Sequence, residues 1–300
     1  MKRDKEIGVI GARSMVASRF CEQSKSRLAK ADLNGEISID ITDPKSVTKF
    51  FEGYQFESVI LFSAFTDVDG AEKQRDDRNS LCWQINVIGV RNIIEACRKF
   101  KRKLVFISTD FVFDGTFGPY DERDSVGPSL NKVSWYGITK IEAEKIVQEL
   151  DNSIIIRISY PYRGIFHKKD DIAKRILRLY RKGKLYPMFD NQYITPTFID
   201  DLAPAVEMLV NKNQSGIFHI ASPTITTQYD FARKLLETFG QDSEKLERKS
   251  VIKFLKENNH TPRPIRGGLK VEKIKKLGFT PTDWQTGLKI IFNQSNGQLI

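Results

Sequence analysis

From residue 7 to residue 159, short apolar runs alternate with stretches of helical pattern. Few architectures accommodate that rhythm. Candidate strands are Ile7–Gly11, Arg27–Asp32, Ile37–Asp40, Ser58–Phe62, Lys103–Ser108 and Ser153–Ser159. Helical stretches lie between them, the longest at about Ser80–Lys101. Apolar strands alternating with helices predict an α/β fold, a doubly wound parallel sheet of the Rossmann type. After Tyr160 the rhythm breaks. Asp170–Lys182 reads as a basic amphipathic helix. Thr195-Pro196-Thr197-Phe198-Ile199-Asp200-Asp201 reads as a loop and helix cap returning to the sheet. The expected division is a sheet domain of residues 1–160 and about 192–222, with a smaller C-terminal lobe of about 161–191 and 223–300.

The first strand runs into a turn that suits a phosphate. Ile7-Gly8-Val9-Ile10-Gly11 leads directly into Ala12-Arg13-Ser14-Met15-Val16-Ala17 and a helix through about Cys21. Backbone N–H groups and the helix dipole then face a diphosphate. The dinucleotide fingerprint wants glycine at three places. Here they are Gly11, Ser14 and Ala17. Alanine at the third place is mild, because that position serves close helix packing. Serine at the second narrows the backbone's approach, although its hydroxyl can itself donate to a phosphate. Gly11, Arg13, Ser14, Met15 and Val16 are the expected cofactor contacts of this turn.

Two further segments carry chemistry. Leu104-Val105-Phe106-Ile107-Ser108-Thr109-Asp110 is a buried strand ending in hydroxyls, where open α/β sheets hold their ligands. In Ser134-Trp135-Tyr136-Gly137-Ile138-Thr139-Lys140, Tyr136 and Lys140 stand four apart at a helix start and share one face. A phenol near pKa about 10 holds its proton too tightly for acid–base work near neutrality. A neighbouring cation would favour the phenolate and lower that value. The pair could then protonate a carbonyl oxygen while hydride reaches its carbon. Taken singly, each segment also fits an ordinary turn or an amphipathic helix.

Taken together, Thr109, Tyr136 and Lys140 resemble the catalytic set of the extended short-chain dehydrogenases/reductases. The run Ser108-Thr109-Asp110-Phe111-Val112-Phe113-Asp114-Gly115 is similar to that of the dTDP-4-dehydrorhamnose reductases and their sugar-nucleotide-binding relatives. Further matches are Asp40-Ile41-Thr42-Asp43, Thr66-Asp67-Val68-Asp69, Asn86-Val87, and Tyr120, Glu122, Asp124 and Pro128. At the C-terminal end they are Arg263-Pro264, Leu269, Lys273, Leu277-Gly278-Phe279 and Asp283-Trp284.

The resemblance implies reduction of a keto group on a nucleotide-activated deoxy sugar with NADPH or NADH. Tyr136 would give the proton, Lys140 would hold the nicotinamide ribose, and Thr109 would orient the carbonyl. Asp40, Ile41, Ser63, Ala64 and Phe65 would line the cofactor. Thr66, Val68, Asp110, Tyr160 and Arg263 would face the substrate. A 4,6-dehydratase would be expected to carry an acid where this chain has Phe111, and an epimerase Ser or Thr at Asp110. A second reading is a non-catalytic nucleotide-binding subunit resembling the beta subunit of methionine adenosyltransferase. The chain departs from the reductase pattern at Ser14, at Ser63-Ala64, at Gly70, in about three extra residues between Asn131 and Tyr136, and at Tyr160.

Asp32 lies at the end of the second strand candidate, where an acid commonly receives the ribose 2′-hydroxyl. Arg13, Arg27 and Lys30 oppose it and could neutralise a 2′-phosphate. Arg13 has the strongest claim from its place in the loop. Both cofactors are therefore expected, with a slight NADPH preference.

The 300 residues suit a nucleotide domain with a smaller lobe. Hydrophobic residues make up 40% and charged residues 29%, an ordinary globular balance, and no apolar run reaches membrane-spanning length. Met1-Lys2-Arg3-Asp4-Lys5-Glu6 is charged and shows no signal peptide, so cytoplasm is the default. Cys21, Cys82 and Cys97 have no paired spacing, and neither disulfides nor a metal site is expected. His219 alternates like a strand residue and reads as structural. The net charge of +10 suits a diphosphate ligand. Basic residues cluster at Arg98–Lys103 and Lys174–Lys184; the first cluster sits in a helix–strand connection and reads as a solvated face, and no nucleic-acid or membrane partner is expected. A homodimer stays open.

Overall fold

The computed structural model describes residues 6–257 and 260–300. The charged run Met1–Lys5 lies outside the described residues. Eleven strands are seen among them: β1 (Glu6–Ile10), β2 (Arg27–Asp32), β3 (Ile37–Ser38), β4 (Ser58–Leu61), β5 (Lys103–Thr109), β6 (Ile154–Ile158), β7 (Met188–Phe189), β8 (Tyr193–Ile194), β9 (Gly216–His219), β10 (Thr226–Thr227) and β11 (Arg248–Lys249). Seven form one sheet in the order β3-β2-β1-β4-β5-β6-β9, and every pair in it is parallel.

The apolar runs become central strands because both faces of the sheet are covered. β4 and β6 are buried at every residue. Successive side chains alternate between two cores, as the strand period requires. Val9, Val105, Ile154 and Ile156 enter the core on one face, with Phe20 and Leu202. Ile10, Leu104, Phe106 and Ile155 enter the other, with Phe50, Ile93 and Val147. A third core gathers Tyr162, Ile176, Leu177, Phe231, Leu235, Trp284 and Leu288 from the chain after β6.

Several expectations change in detail. β3 ends at Ser38, so Asp40 lies beyond it, its carboxylate folded back onto Thr42. The long helix is three segments in series, Leu81–Trp83, a π-turn at Gln84–Ile88 and Gly89–Phe100. The helix Leu202–Asn211 has no side-chain cap. The Asp201 carboxylate instead accepts from the backbone N–H and hydroxyl of Thr282, at 2.8 and 2.7 Å. The C-terminal segment divides between two cores: Leu269, Val271 and Ile274 pack on the sheet, whereas Trp284, Leu288 and Ile291 pack in the third core. Its apolar residues are close enough to β9 to complete the sheet's own core, with the helix Glu272–Lys276 against that strand.

His219 is fully buried at the end of β9. Its Nδ1 faces the Lys270 carbonyl at 3.0 Å, and burial beside Arg157 pushes its pKa down to about 3. It is a neutral structural group. Among the described residues no helix is long and apolar enough to cross a membrane, and no cluster of His, Cys, Asp and Glu could hold a metal.

Candidate active site

The strand order reverses between β1 and β4. Loops leaving their carboxyl ends diverge there and open a crevice. The crevice is a cavity of about 780 Å³. Gly11, Arg13, Ser14, Met15, Val16, Asp32, Asp40, Ile41, Ser63 and Ala64 line it at one end. Thr66, Val68, Thr109, Asp110, Tyr136, Lys140, Tyr160 and Arg263 line it as well. Phe65 is not among the lining residues. Asn86, in the π-turn, grips its backbone on both sides, accepting from Phe65 N–H at 2.8 Å and donating to its carbonyl at 3.1 Å. The same Asn86 amide donates to Thr139 Oγ1 at 3.0 Å, tying the loop after β4 to the tyrosine helix. The sequence offered Asn86 only as part of a family match; its role depends on a contact across 53 positions.

The turn after β1 fits a dinucleotide diphosphate. Gly11 has φ +82°, and a Cβ there would stand 2.7 Å from both the backbone N and the Oγ of Ser63. Only glycine lets the two loops approach so closely. The second fingerprint position needs no glycine in this chain. Ser14 has φ −66° and is the N-cap of the helix Met15–Gln23, accepting from Ala17 N–H at 3.2 Å. Its hydroxyl proton stays available for a phosphate oxygen. Asp32 accepts from the Arg13 backbone N–H at 3.0 Å, and the Arg13 guanidinium donates to the Asn34 carbonyl. Acid and base thus share the end of β2.

The catalytic candidates come from two elements. Thr109 ends β5, and Tyr136 and Lys140 stand on the helix Trp135–Gln148, which Ser134 caps through Gly137 N–H at 3.2 Å. Gly137 is required here, since a Cβ would stand 2.6 Å from Val133 and closer still to the Phe111 carbonyl. Helix and strand end therefore meet at van der Waals distance, which brings the Tyr136 phenol beside Thr109 in the cavity lining. Lys140 is buried; its ammonium donates to the Ile107 carbonyl at 2.8 Å and sits 3.9 Å from the Phe106 ring centroid.

The expected lowering of the phenol by Lys140 does not hold in this geometry. Burial pushes Tyr136 well above its ordinary value; Thr109 opposes the rise, and the charges of Asp110 and Cys82 add to it. Burial also pushes Lys140 down to about 7, with Glu144 resisting. Each group is held toward its neutral form because the cavity wall is apolar.

The substrate-side candidates divide. Asp110 is buried, with its carboxylate held by Ser159 Oγ at 2.7 Å and Thr109 Oγ1 at 3.3 Å. Tyr160 adopts φ +41°, unusual for a bulky residue, and Gln228 donates to its hydroxyl at 3.2 Å. Arg263 grips Asp69 with two bonds of 2.7 and 2.9 Å, and Lys169 reaches Thr66 Oγ1 at 2.9 Å. The lining also includes Phe166, Lys168 and Lys169, none of which the sequence had singled out.

Residues 5–296 match the family described as RmlD substrate binding domain. The chain is 29% identical over 288 residues to the spore coat polysaccharide biosynthesis protein SpsK of Bacillus subtilis, covering 95% of each chain. It is 27% identical over 294 residues to the dTDP-4-dehydrorhamnose reductase of Mycobacterium tuberculosis, covering 95% of this chain and 92% of that protein. Among solved structures, the dTDP-4-dehydrorhamnose reductase of Bacillus anthracis in complex with NADP superposes with a TM-score of 0.85 at 26% identity. That match covers 97% of this chain and 99% of the other.

Proposed function

The chain belongs to the RmlD substrate binding domain family, and from that premise we propose that it reduces a keto group on a nucleotide-activated deoxy sugar. The observation that carries this reading is convergence. Thr109, Tyr136 and Lys140 open onto the same cavity as the Gly11–Ser14 turn. One wall suits a dinucleotide and the other carries a proton donor. A non-catalytic nucleotide-binding subunit would not need Thr109 and Tyr136 side by side in that cavity.

The nicotinamide dinucleotide supplies the hydride. The Gly11–Ser14 turn and the N-terminus of the helix Met15–Gln23 would hold its diphosphate, and Asp32 and Arg13 would meet its adenosine ribose. Tyr136 donates the proton to the carbonyl oxygen as negative charge develops there. Thr109 orients that oxygen with a second hydrogen bond, a preorganised donor where charge appears. Lys140, whose ammonium donates to the Ile107 carbonyl at 2.8 Å, would hold the nicotinamide ribose. A ribose hydroxyl and a phenolate beside it favour its charged form, which in turn eases proton release from Tyr136. Phe111 puts an aromatic ring where a dehydratase would need an acid, so reduction is favoured over water elimination.

The test is turnover. With NADPH and dTDP-4-dehydrorhamnose, oxidation of NADPH followed by absorbance is expected to saturate in both substrates. No turnover with this or other nucleotide-linked keto sugars, together with no thermal stabilisation by them, would overturn the reading.

A further inference from the structure

The Thr109 hydroxyl stands at a junction. It lines the cavity with Tyr136, it donates toward Asp110 Oδ1 at 3.3 Å, and it accepts from Phe111 N–H at 3.2 Å. A hydroxyl has one proton. When that proton points to Asp110, Thr109 offers only lone pairs to anything in the cavity. The other Asp110 oxygen receives the Ser159 hydroxyl at 2.7 Å. The groups facing the carboxyl are the hydroxyls of Thr109 and Ser159 and the buried phenols Tyr136 and Tyr160. Arg263 acts on Tyr160 and lines the same cavity as Lys140, but their hydrogen bonds go to Asp69 and to the Ile107 carbonyl and not to the Asp110 carboxylate.

We propose that Asp110 is a protonation switch for the Thr109 hydroxyl. As a neutral acid it donates to Thr109 and frees the threonine proton for a substrate carbonyl oxygen. As a carboxylate it keeps that proton to itself. The proposal rests on the carbonyl-reductase reading above. Asp110 acts through Thr109 and is a positioning residue.

The environment supports a switch that works in an accessible pH range. Burial pushes the Asp110 carboxyl up to about 6, against the hydrogen bonds of Ser159 and Thr109, which favour the charged form. The neutral form is the productive one, so the contribution is present below the Asp110 midpoint and is lost as pH rises through it.

The test uses the full chain with NADPH and dTDP-4-dehydrorhamnose, alongside an infrared titration of the protein alone. Wild-type minus Asp110→Asn spectra are expected to show a protonated carboxyl titrating well above the ordinary carboxylate range. Wild-type kcat is expected to fall about tenfold per pH unit above its midpoint, as for a single ionisation. Asp110→Asn keeps the shape and offers a permanent N–H toward Thr109. Its kcat profile is expected to lose that limb and to exceed the wild type at the alkaline end. Ser159→Ala keeps the carboxyl and serves if the asparagine variant does not fold. It removes a hydrogen bond to the charged form, so the infrared and kinetic midpoints are expected to rise together. Titration of Asp110 in the ordinary range, an unchanged limb in Asp110→Asn, or movement of one midpoint without the other would each overturn the switch. If the wild type does not turn over, the reductase reading falls, and the infrared midpoint with its Ser159→Ala shift alone decides the switch.

Discussion

On one side of the cavity, Gly11, Asp32 and Ser63 each stand within two residues of the strands β1, β2 and β4 that carry them, at their carboxyl ends. On the other side, Thr66 meets Lys169 across 103 positions and Asp69 meets Arg263 across 194. The first wall is made of backbone: a turn with φ +82° and a helix N-terminus. The second is made of long side chains that reach one another from separate segments, with Asp69 itself largely exposed. A backbone wall is rigid and makes the same contacts with any dinucleotide. A side-chain wall re-pairs cheaply, because exposed ion pairs are worth little. Cofactor binding should therefore be intolerant of change in the turn, and substrate choice should be adjustable at the far wall.

The largest test falls where the walls meet. Tyr136→Phe removes only the transferable proton. Steady-state kinetics should show kcat down by about 10²–10⁴-fold with the NADPH Kd nearly unchanged. Retention of more than about a tenth of kcat would deny Tyr136 the role of acid.

Gly11→Ala attacks the backbone wall. A left-handed alanine costs about 1–2 kcal/mol, before any contact with Ser63 is counted. Calorimetry should report dinucleotide binding weaker by about tenfold or more, since 1.4 kcal/mol is tenfold. Ordinary affinity in a folded variant would show that the turn is softer than its geometry indicates.

Arg263→Ala attacks the side-chain wall. The expected result is a rise of about tenfold in KM for the nucleotide sugar, the scale of one charge-assisted hydrogen bond, with cofactor affinity unmoved. Equal losses in both would erase the distinction between the walls.

Arg13→Ala sharpens the cofactor side. NADPH is expected to weaken several-fold more than NADH, because charge-assisted pairing to phosphate is about twice as strong as a neutral hydrogen bond. Fluorescence titration with both cofactors decides it. Equal weakening would assign the preference to Asp32 instead.

Ser14→Gly should do least. It removes an N-cap, for which glycine costs only a few tenths of a kcal/mol. Dinucleotide Kd is expected to stay within about threefold, or to tighten. A marked loss would make the Ser14 hydroxyl a phosphate ligand.

The difference between the walls also explains what could be read from the chain. The strand at Arg27–Asp32 has the bounds its residues suggested, β1 and β6 differ from expectation by a residue at both ends, and β4 and β5 by a residue at the C-terminal end alone. Buried parallel strands are unbroken apolar runs, and that signal is local. Gly11, Ser14, Thr109 and Tyr136 inherit their legibility from those strands and from a helix cap. Lys168, Lys169 and Asn86 carry no such local mark. Each is an ordinary polar residue until the fold brings Thr66 to Lys169, Phe65 and Thr139 to Asn86, and the cavity to Lys168. Phe65 shows the converse: its place beside Ser63 and Ala64 suggested the cavity, but Asn86 pins its backbone and its ring joins the cluster of Ala71, Cys82, Phe111 and Trp135.

Local pattern, then, determined the alternation of strands and helices, the parallel sheet, the glycine turn and the i,i+4 spacing of Tyr136 and Lys140, since each depends on neighbours a few residues apart. Tertiary structure alone decided the electrostatics. The spacing of Tyr136 and Lys140 suggested a phenol lowered by an adjacent ammonium. Folding instead buried both, and Asp110 with them, which raised the phenol and the carboxyl and lowered the amine. The physical reason is that spacing fixes which groups are near one another, whereas desolvation depends on everything else packed around them.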